Sequence, residues 1–131
     1  MKKWWLILAA GFLLAGCGGE NKDLRVGKAR VRVEVRESQA GRQQGLSGRD
    51  SLGEDEGMLF VFEELGYHRF WMKGMKFDLD FVWIDKDQVV EITERVAAPT
   101  VLTPKQPIDK VLEVNSGWVE KNGVKVGDKV K

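Results

Sequence analysis

The side chains able to do chemistry concentrate between Gly57 and Asp85, GMLFVFEELGYHRFWMKGMKFDLDFVWID. Asp78 and Asp80 stand two positions apart, which on a strand puts both on one face with α-carbons roughly 7 Å apart. That spacing suits paired acid and base work or a shared cation. A cation would need two further oxygen ligands, and the same pattern also reads as one solvated acid beside one salt-bridged acid. Asp80, among Leu79, Phe81 and Val82, is expected to lie deeper, where a carboxylate requires a partner.

His68 is the single histidine of the chain and the one side chain that titrates near neutrality unaided, which makes it a candidate general base. No serine or cysteine elbow accompanies it and no second histidine completes a zinc site, so a surface or hydrogen-bonding role stands beside the catalytic one. Trp71, with Arg69 and Lys73 on its face of a strand, offers an aromatic platform with cationic flanks for an anionic or sugar ligand; the alternative is a core Trp with snorkelling neighbours. Glu113 in VLEV and Asn115 just after it add two polar groups at a strand end, where sites often form.

The elements that must position these groups are short strands. RVRVEVRE (Arg30 to Glu37) alternates strictly, with Val31, Val33 and Val35 on one face, as a half-buried strand does. Leu24 and Val26 extend it, with Gly27 as a place for a bulge. Ser38 is a candidate N-cap for one or two helical turns over Gln39 to Gly45. Met58 to Phe62 is continuously apolar and reads as a central strand, paired in a hairpin with Tyr67 to Lys73. Phe77 to Asp85 and Gln88 to Val96 form a second hairpin around Asp85, Lys86 and Asp87. Ala97 to Pro107 holds all three prolines and reads as a stiff crossing loop. Val111 to Val114 is a strand, Ser116 a cap for a turn that ends at Asn122 and Gly123, and Lys125 to Val130 a closing strand. Six or seven short strands with minor helix point to a mainly β fold, a compact antiparallel β-sandwich or barrel with one or two short helices.

The first residues carry a different kind of signal. Lys2 and Lys3 precede the apolar run Trp4 to Leu14, a length that suits a secretory signal and falls short of the ~20 residues a membrane-spanning helix needs. Leu14, Ala15, Gly16 and Cys17 resemble the lipobox of bacterial lipoproteins. The reading divides the chain into a signal peptide over 1–16, a lipidated Cys17 with a flexible tether over 17–25, and one β-rich domain over 26–131. Three acyl chains, palmitate-like in length, would exceed the two signals that stable anchoring takes. The only cysteine is thereby an anchor, and the domain has no disulfide, no thiolate nucleophile and no metal site within reach of sequence reasoning. Without Lys2 and Lys3, 19 basic residues face 20 acidic ones. So balanced a surface lacks the positive field of a nucleic-acid binder and of a polybasic membrane patch.

Taken together, the segments RQQGLSGR (Arg42 to Arg49), EDEGMLFVF (Glu54 to Phe62), FWMK (Phe70 to Lys73), LDFVWID (Leu79 to Asp85), VLEVNSGWVEKNG (Val111 to Gly123) and the closing VGD resemble the prokaryotic domain-of-unknown-function 192 family. The resemblance spans about Val31 to Val130 and implies a small β-rich domain, often secreted or lipid-anchored, with no established reaction. It aligns Arg42, Arg49, Glu56, Lys73, Asp80, Glu113 and Asn115 with the family's polar positions. Ser47 stands where the family commonly has Met, and Gly74 and Met75 where it has Asn-Thr. Asp78 replaces a Pro or apolar residue, which removes it as a family-level catalyst.

These observations define a lipid-anchored cell-envelope protein facing the periplasm or the cell exterior. Its domain is expected to bind a small molecule or an envelope protein through Trp71, Lys73, Asp80, Glu113 and Asn115, without turnover and without a cofactor. One alternative is a hydrolase or lyase with Asp80 and Glu113 as acid and base and His68 or Lys73 assisting. Another is a structural or docking module in which Asp80 pairs with Lys73 or Arg42.

Overall fold

In the computed structural model, which describes residues 19–131, the alternating valine segment is the strand β2 (Ala29–Arg36), paired antiparallel with β1 (Asn21–Val26) through the two-residue turn at Gly27 and Lys28. Gly27 makes that turn with a φ of 59° rather than a bulge. Part of the expected tether is therefore sheet: Asn21 lies opposite Glu34 and Leu24 opposite Val31. The expected signal peptide and the expected lipidation site Cys17 lie outside the described residues.

The helix α1 (Gln39–Gln44) follows, capped by the Ser38 hydroxyl, which accepts from the Gly41 N–H at 3.0 Å. Strands come next: β3 (Glu56–Gly66), β4 (Phe70–Trp71), β5 (Leu79–Asp85), β6 (Gln88–Val96) and β7 (Val101–Leu102). The strand β8 (Ile108–Asn115) and the helix α2 (Trp118–Asn122) follow these. Six strands form one sheet in the order β1-β2-β3-β8-β5-β6, and β4 pairs with β7 in a small second sheet. The fold is mainly β, as expected, but the main sheet does not close into a barrel. The pair β2 and β3 is parallel, a departure from an all-antiparallel fold that the intervening helix makes possible, since a parallel return needs a crossover. The hairpin expected between Met58–Phe62 and Tyr67–Lys73 does not form. β3 is flanked by β2 and β8, while Phe70 and Trp71 lie opposite Leu102 and Val101. The hairpin of β5 and β6 forms as expected.

Both faces of the sheet are covered, which is why β5 is buried along almost its whole length. On one face Val31, Val33, Leu59, Val82, Ile84, Leu112 and Val114 pack under Trp118, Val119 and the C-terminal segment. That segment makes bridges rather than a strand: Val130 lies opposite Val26 and Lys129 opposite Gln88, so it bonds to both edges of the sheet. On the other face Met58, Phe60, Leu79, Phe81, Trp83 and Val111 pack under Leu46, Met72 and Phe70. Trp83 donates its indole N–H to the Thr93 hydroxyl at 3.0 Å. Close strand approach needs a missing side chain at Gly57, where a Cβ would lie 2.7 Å from the Glu113 carbonyl oxygen.

Candidate functional site

Two carboxyls are buried in this sheet, Asp80 and Glu113, at 0% and 5% exposure. Register decides their relation. Asp80 lies opposite Val114 and Phe81 opposite Glu113, so the two acids sit one step apart on neighbouring strands and face opposite sides of the sheet. Asp80 shares its side with Val82 and Val114; Glu113 shares the other with Phe81 and Met58.

Asp80 is saturated. Its Oδ2 accepts from the backbone N–H groups of Gly117 and Val119, each at 3.0 Å, and its Oδ1 from the Arg95 N–H at 2.9 Å. Gly117 is the N-cap of α2 with no side chain to cap it, so Asp80 supplies the cap from across the sheet. Gly117 and Arg95 both adopt positive φ, 90° and 56°. The carboxylate thus fastens two unusual backbone corners to β5. The cap expected of Ser116 is made by Asp80, and Asp80 pairs with neither Lys73 nor Arg42. Acid and base chemistry shared by Asp80 and Glu113 is incompatible with this arrangement, because a sheet lies between them.

Glu113 is the opposite case. Among the described residues no hydrogen bond or ion pair reaches its carboxyl, and burial alone pushes its pKa up from the ordinary 4.5 to about 8. It lies against a cleft of about 400 Å³ between α1 and the β4 region. Leu46, Phe60, Phe62, Phe70, Trp71 and Met75 form its apolar walls, and Arg42, Arg69 and the amides of Gln39, Gln43 and Gln44 its polar rim. Phe70 organises the aromatic wall, meeting Phe60, Phe62, Phe81 and Trp83 edge-on at centroid distances of 5.2 to 6.0 Å. Edge-on packing of this kind adds rigidity beyond the area it buries. Arg42 spans from α1 to β3, donating to the carbonyls of Glu37 and Val61 with its guanidinium 4.8 Å above the Phe62 ring.

The remaining sequence candidates divide. Trp71 lines the cleft and is exposed, so it is not a core residue; the Lys73 ammonium stands 5.8 Å from its ring centroid but outside the cleft lining. Asn115 holds a loop, donating to the carbonyls of Leu52 and Gly53 at 2.9 and 3.0 Å. His68 stacks on Phe62 with centroids 3.7 Å apart and bonds through Nε2 to the Glu64 carbonyl oxygen at 2.9 Å. It steadies the β3–β4 connection and does not line the cleft. Of the five expected ligand-binding residues, only Trp71 and Glu113 meet there. The aromatic wall and the amide-rich face of α1 escaped sequence reading; the run Gln39, Gln43 and Gln44 beside Arg42 was the available signal.

The comparison with protein families settles one point. A family model, DUF192, described as "Uncharacterized ACR", matches residues 22–131. The chain belongs to the DUF192 family. No curated protein matches it. A crystal structure of a candidate transcription regulator from Sinorhizobium meliloti 1021 is similar, with a TM-score of 0.82 and 29% identity, covering 86% of this chain and 94% of that one. A protein of unknown function from Novosphingobium aromaticivorans DSM 12444 is similar at a TM-score of 0.83 and 28% identity, covering 91% of this chain and 89% of the other.

Proposed function

We propose that this DUF192 protein is an envelope lipoprotein, held by Cys17, whose domain binds a small amphiphilic ligand in the cleft over Glu113 without transforming it. The observation that carries the reading is the unpartnered Glu113 carboxyl beside an aromatic-walled cleft. An acid at the wall of an apolar cleft, with no donor or cation of the described residues on it, favours a ligand group that can bond to it there. The volume of about 400 Å³ falls in the range of small-molecule sites, ~300 to 1,000 Å³.

The lining defines the ligand's chemistry. An apolar or aromatic body lies against Phe60, Phe62, Phe70 and Trp71. A hydrogen-bond acceptor meets the protonated Glu113 carboxyl, and an acidic group faces Arg42 and Arg69 at the rim. The resemblance to the family has Asn-Thr at 74–75, where this chain has Gly74 and Met75; Met75 lines the cleft, which makes this site more apolar.

Titration calorimetry of the full-length protein with arylalkanoates and their amides tests the reading, with 3-phenylpropionate as the first probe. Saturable binding that disappears in Glu113→Leu and weakens in Trp71→Ala is the expected result. Absence of heat across the probe series, or binding indifferent to both substitutions, would remove the proposal.

A further inference from the structure

The cleft opens beside an unusual concentration of exposed apolar side chains. Leu65, Tyr67, Trp71 and Val101 are 50%, 61%, 60% and 56% exposed. The first three fall within one short stretch, and Val101 lies opposite Trp71 across β4 and β7. The topology says where this stretch stands. β1 is antiparallel to β2, and β2 is parallel to β3, so the chain enters the domain at Gly19 from the end toward which β3 runs. β3 continues beyond its last pairing with β2, Phe60 opposite Arg36, to Gly66. Leu65 and Tyr67 are therefore at the end of the sheet from which the chain leads back to Cys17.

The connection is short. One residue, Gly18, separates Gly19 from Cys17, a reach of about 7 Å at full extension. A lipidated Cys17 would hold that end of the sheet against the bilayer, with no length for the domain to stand away or turn over. We infer that the domain rests on the membrane carrying Cys17, with Leu65, Tyr67, Trp71 and Val101 entering the headgroup layer. The inference depends on the lipid anchor proposed above.

Tyr and Trp are the residues that favour such an interface, with an apolar body and a polar tip. In the stretch 63–73 the exposed charges Glu63 and Glu64 offset Arg69 and Lys73 in number and sign, so the contact is made by apolar insertion and not by attraction to anionic lipid. Arg69 and Trp71, exposed members of the cleft lining, would then lie at headgroup level, and the ligand would reach the cleft from the bilayer surface.

Carbene labelling from the aqueous side provides the test, on the purified lipidated protein in vesicles of phosphatidylethanolamine with phosphatidylglycerol. Val126, 59% exposed in the C-terminal segment that packs on the other face of the sheet, is the internal reference. Labelling of Leu65, Tyr67 and Trp71 is expected to fall severalfold below that of Val126, and Leu65→Asp with Val101→Asp should restore it at Tyr67. The mass of the N-terminal peptide reads the anchor separately. Equal labelling on a protein that carries the lipid overturns the docking face alone; a Cys17 without lipid overturns the anchor and the docking face together.

Discussion

Asp80 and Glu113 sit on adjacent strands, one register step apart, both buried, and differ in their hydrogen-bond partners and in the face of the sheet they occupy. Asp80 accepts three backbone N–H bonds, so its charge is spent holding α2 and the Arg95 corner. Glu113 is buried with no donor among the described residues, and burial raises its pKa to about 8. Donors within reach, more than depth, decide which buried acid is structural and which is available to a ligand. Two acids on one strand pair can belong to unrelated parts of the molecule when the sheet runs between them.

The largest effect is expected at Asp80. Asp80→Ala leaves the N–H groups of Arg95, Gly117 and Val119 without acceptors, at about 1–3 kcal/mol each where burial persists. A loss of about 4 kcal/mol in urea unfolding is the expected result. A loss below about 1 kcal/mol would mean that water replaces the carboxylate and that the contrast with Glu113 is illusory.

Glu113 should show the opposite sign. Its folded pKa, about 8, is raised above the ordinary 4.5, so between those values the native state holds a proton that the unfolded state has released. The stability it contributes is complete below about pH 4.5 and is lost as the pH rises through about 8. The decline is on the order of 5 kcal/mol over the whole range, of which about 3 is reached by pH 7. Arg42 and Arg69 share its cleft, and Met58 and Phe81 flank it on the neighbouring strands. Glu113→Leu should flatten the curve and raise stability at pH 7, while removing ligand binding. A wild-type curve that is already flat over this range would show that the carboxyl has a partner in solution.

How far the sequence carried this contrast is instructive. Period-two alternation in RVRVEVRE gave β2, because one buried face dictates alternation, and the turn residues Asp85, Lys86 and Asp87 at the end of FDLDFVWID gave the β5–β6 hairpin. The depth of Asp80 was readable from Leu79, Phe81 and Val82. Its partners were not, because backbone N–H groups at residues 95, 117 and 119 carry no side-chain signature. The parallel pairing of β2 with β3 was equally hidden: adjacent apolar runs suggest hairpins, and the crossover through α1 appears only when both faces of the sheet must be covered. The cleft was half legible. Trp71 and Glu113 are named by type, but the facing wall comes from a helix whose glutamines look like any solvated surface.

Asn115 sharpens the comparison from a third position. It neighbours the Glu113 strand segment, yet its amide is committed to Leu52 and Gly53. Asn115→Ala should cost about 1–2 kcal/mol, with faster amide exchange at Gly53 and ligand affinity unchanged. A large loss of binding without such exchange would move Asn115 into the site.

The smallest stability effects belong to the exposed residues of the proposed binding site. Trp71 is exposed, and Lys73 approaches its ring from outside the cleft. Trp71→Ala should change unfolding stability by no more than about 0.5 kcal/mol, because little area leaves water in the folded protein. Its effect should instead fall on affinity for 3-phenylpropionate. Lys73→Met removes a cation at 5.8 Å from the ring, a contact of about 0.5–1 kcal/mol at an exposed site, and should leave affinity within twofold, about 0.4 kcal/mol. If Lys73→Met weakens binding as strongly as Trp71→Ala, the ligand extends across the outer face of the indole. The site would then be a platform on the surface, with Glu113 behind it and not at its floor.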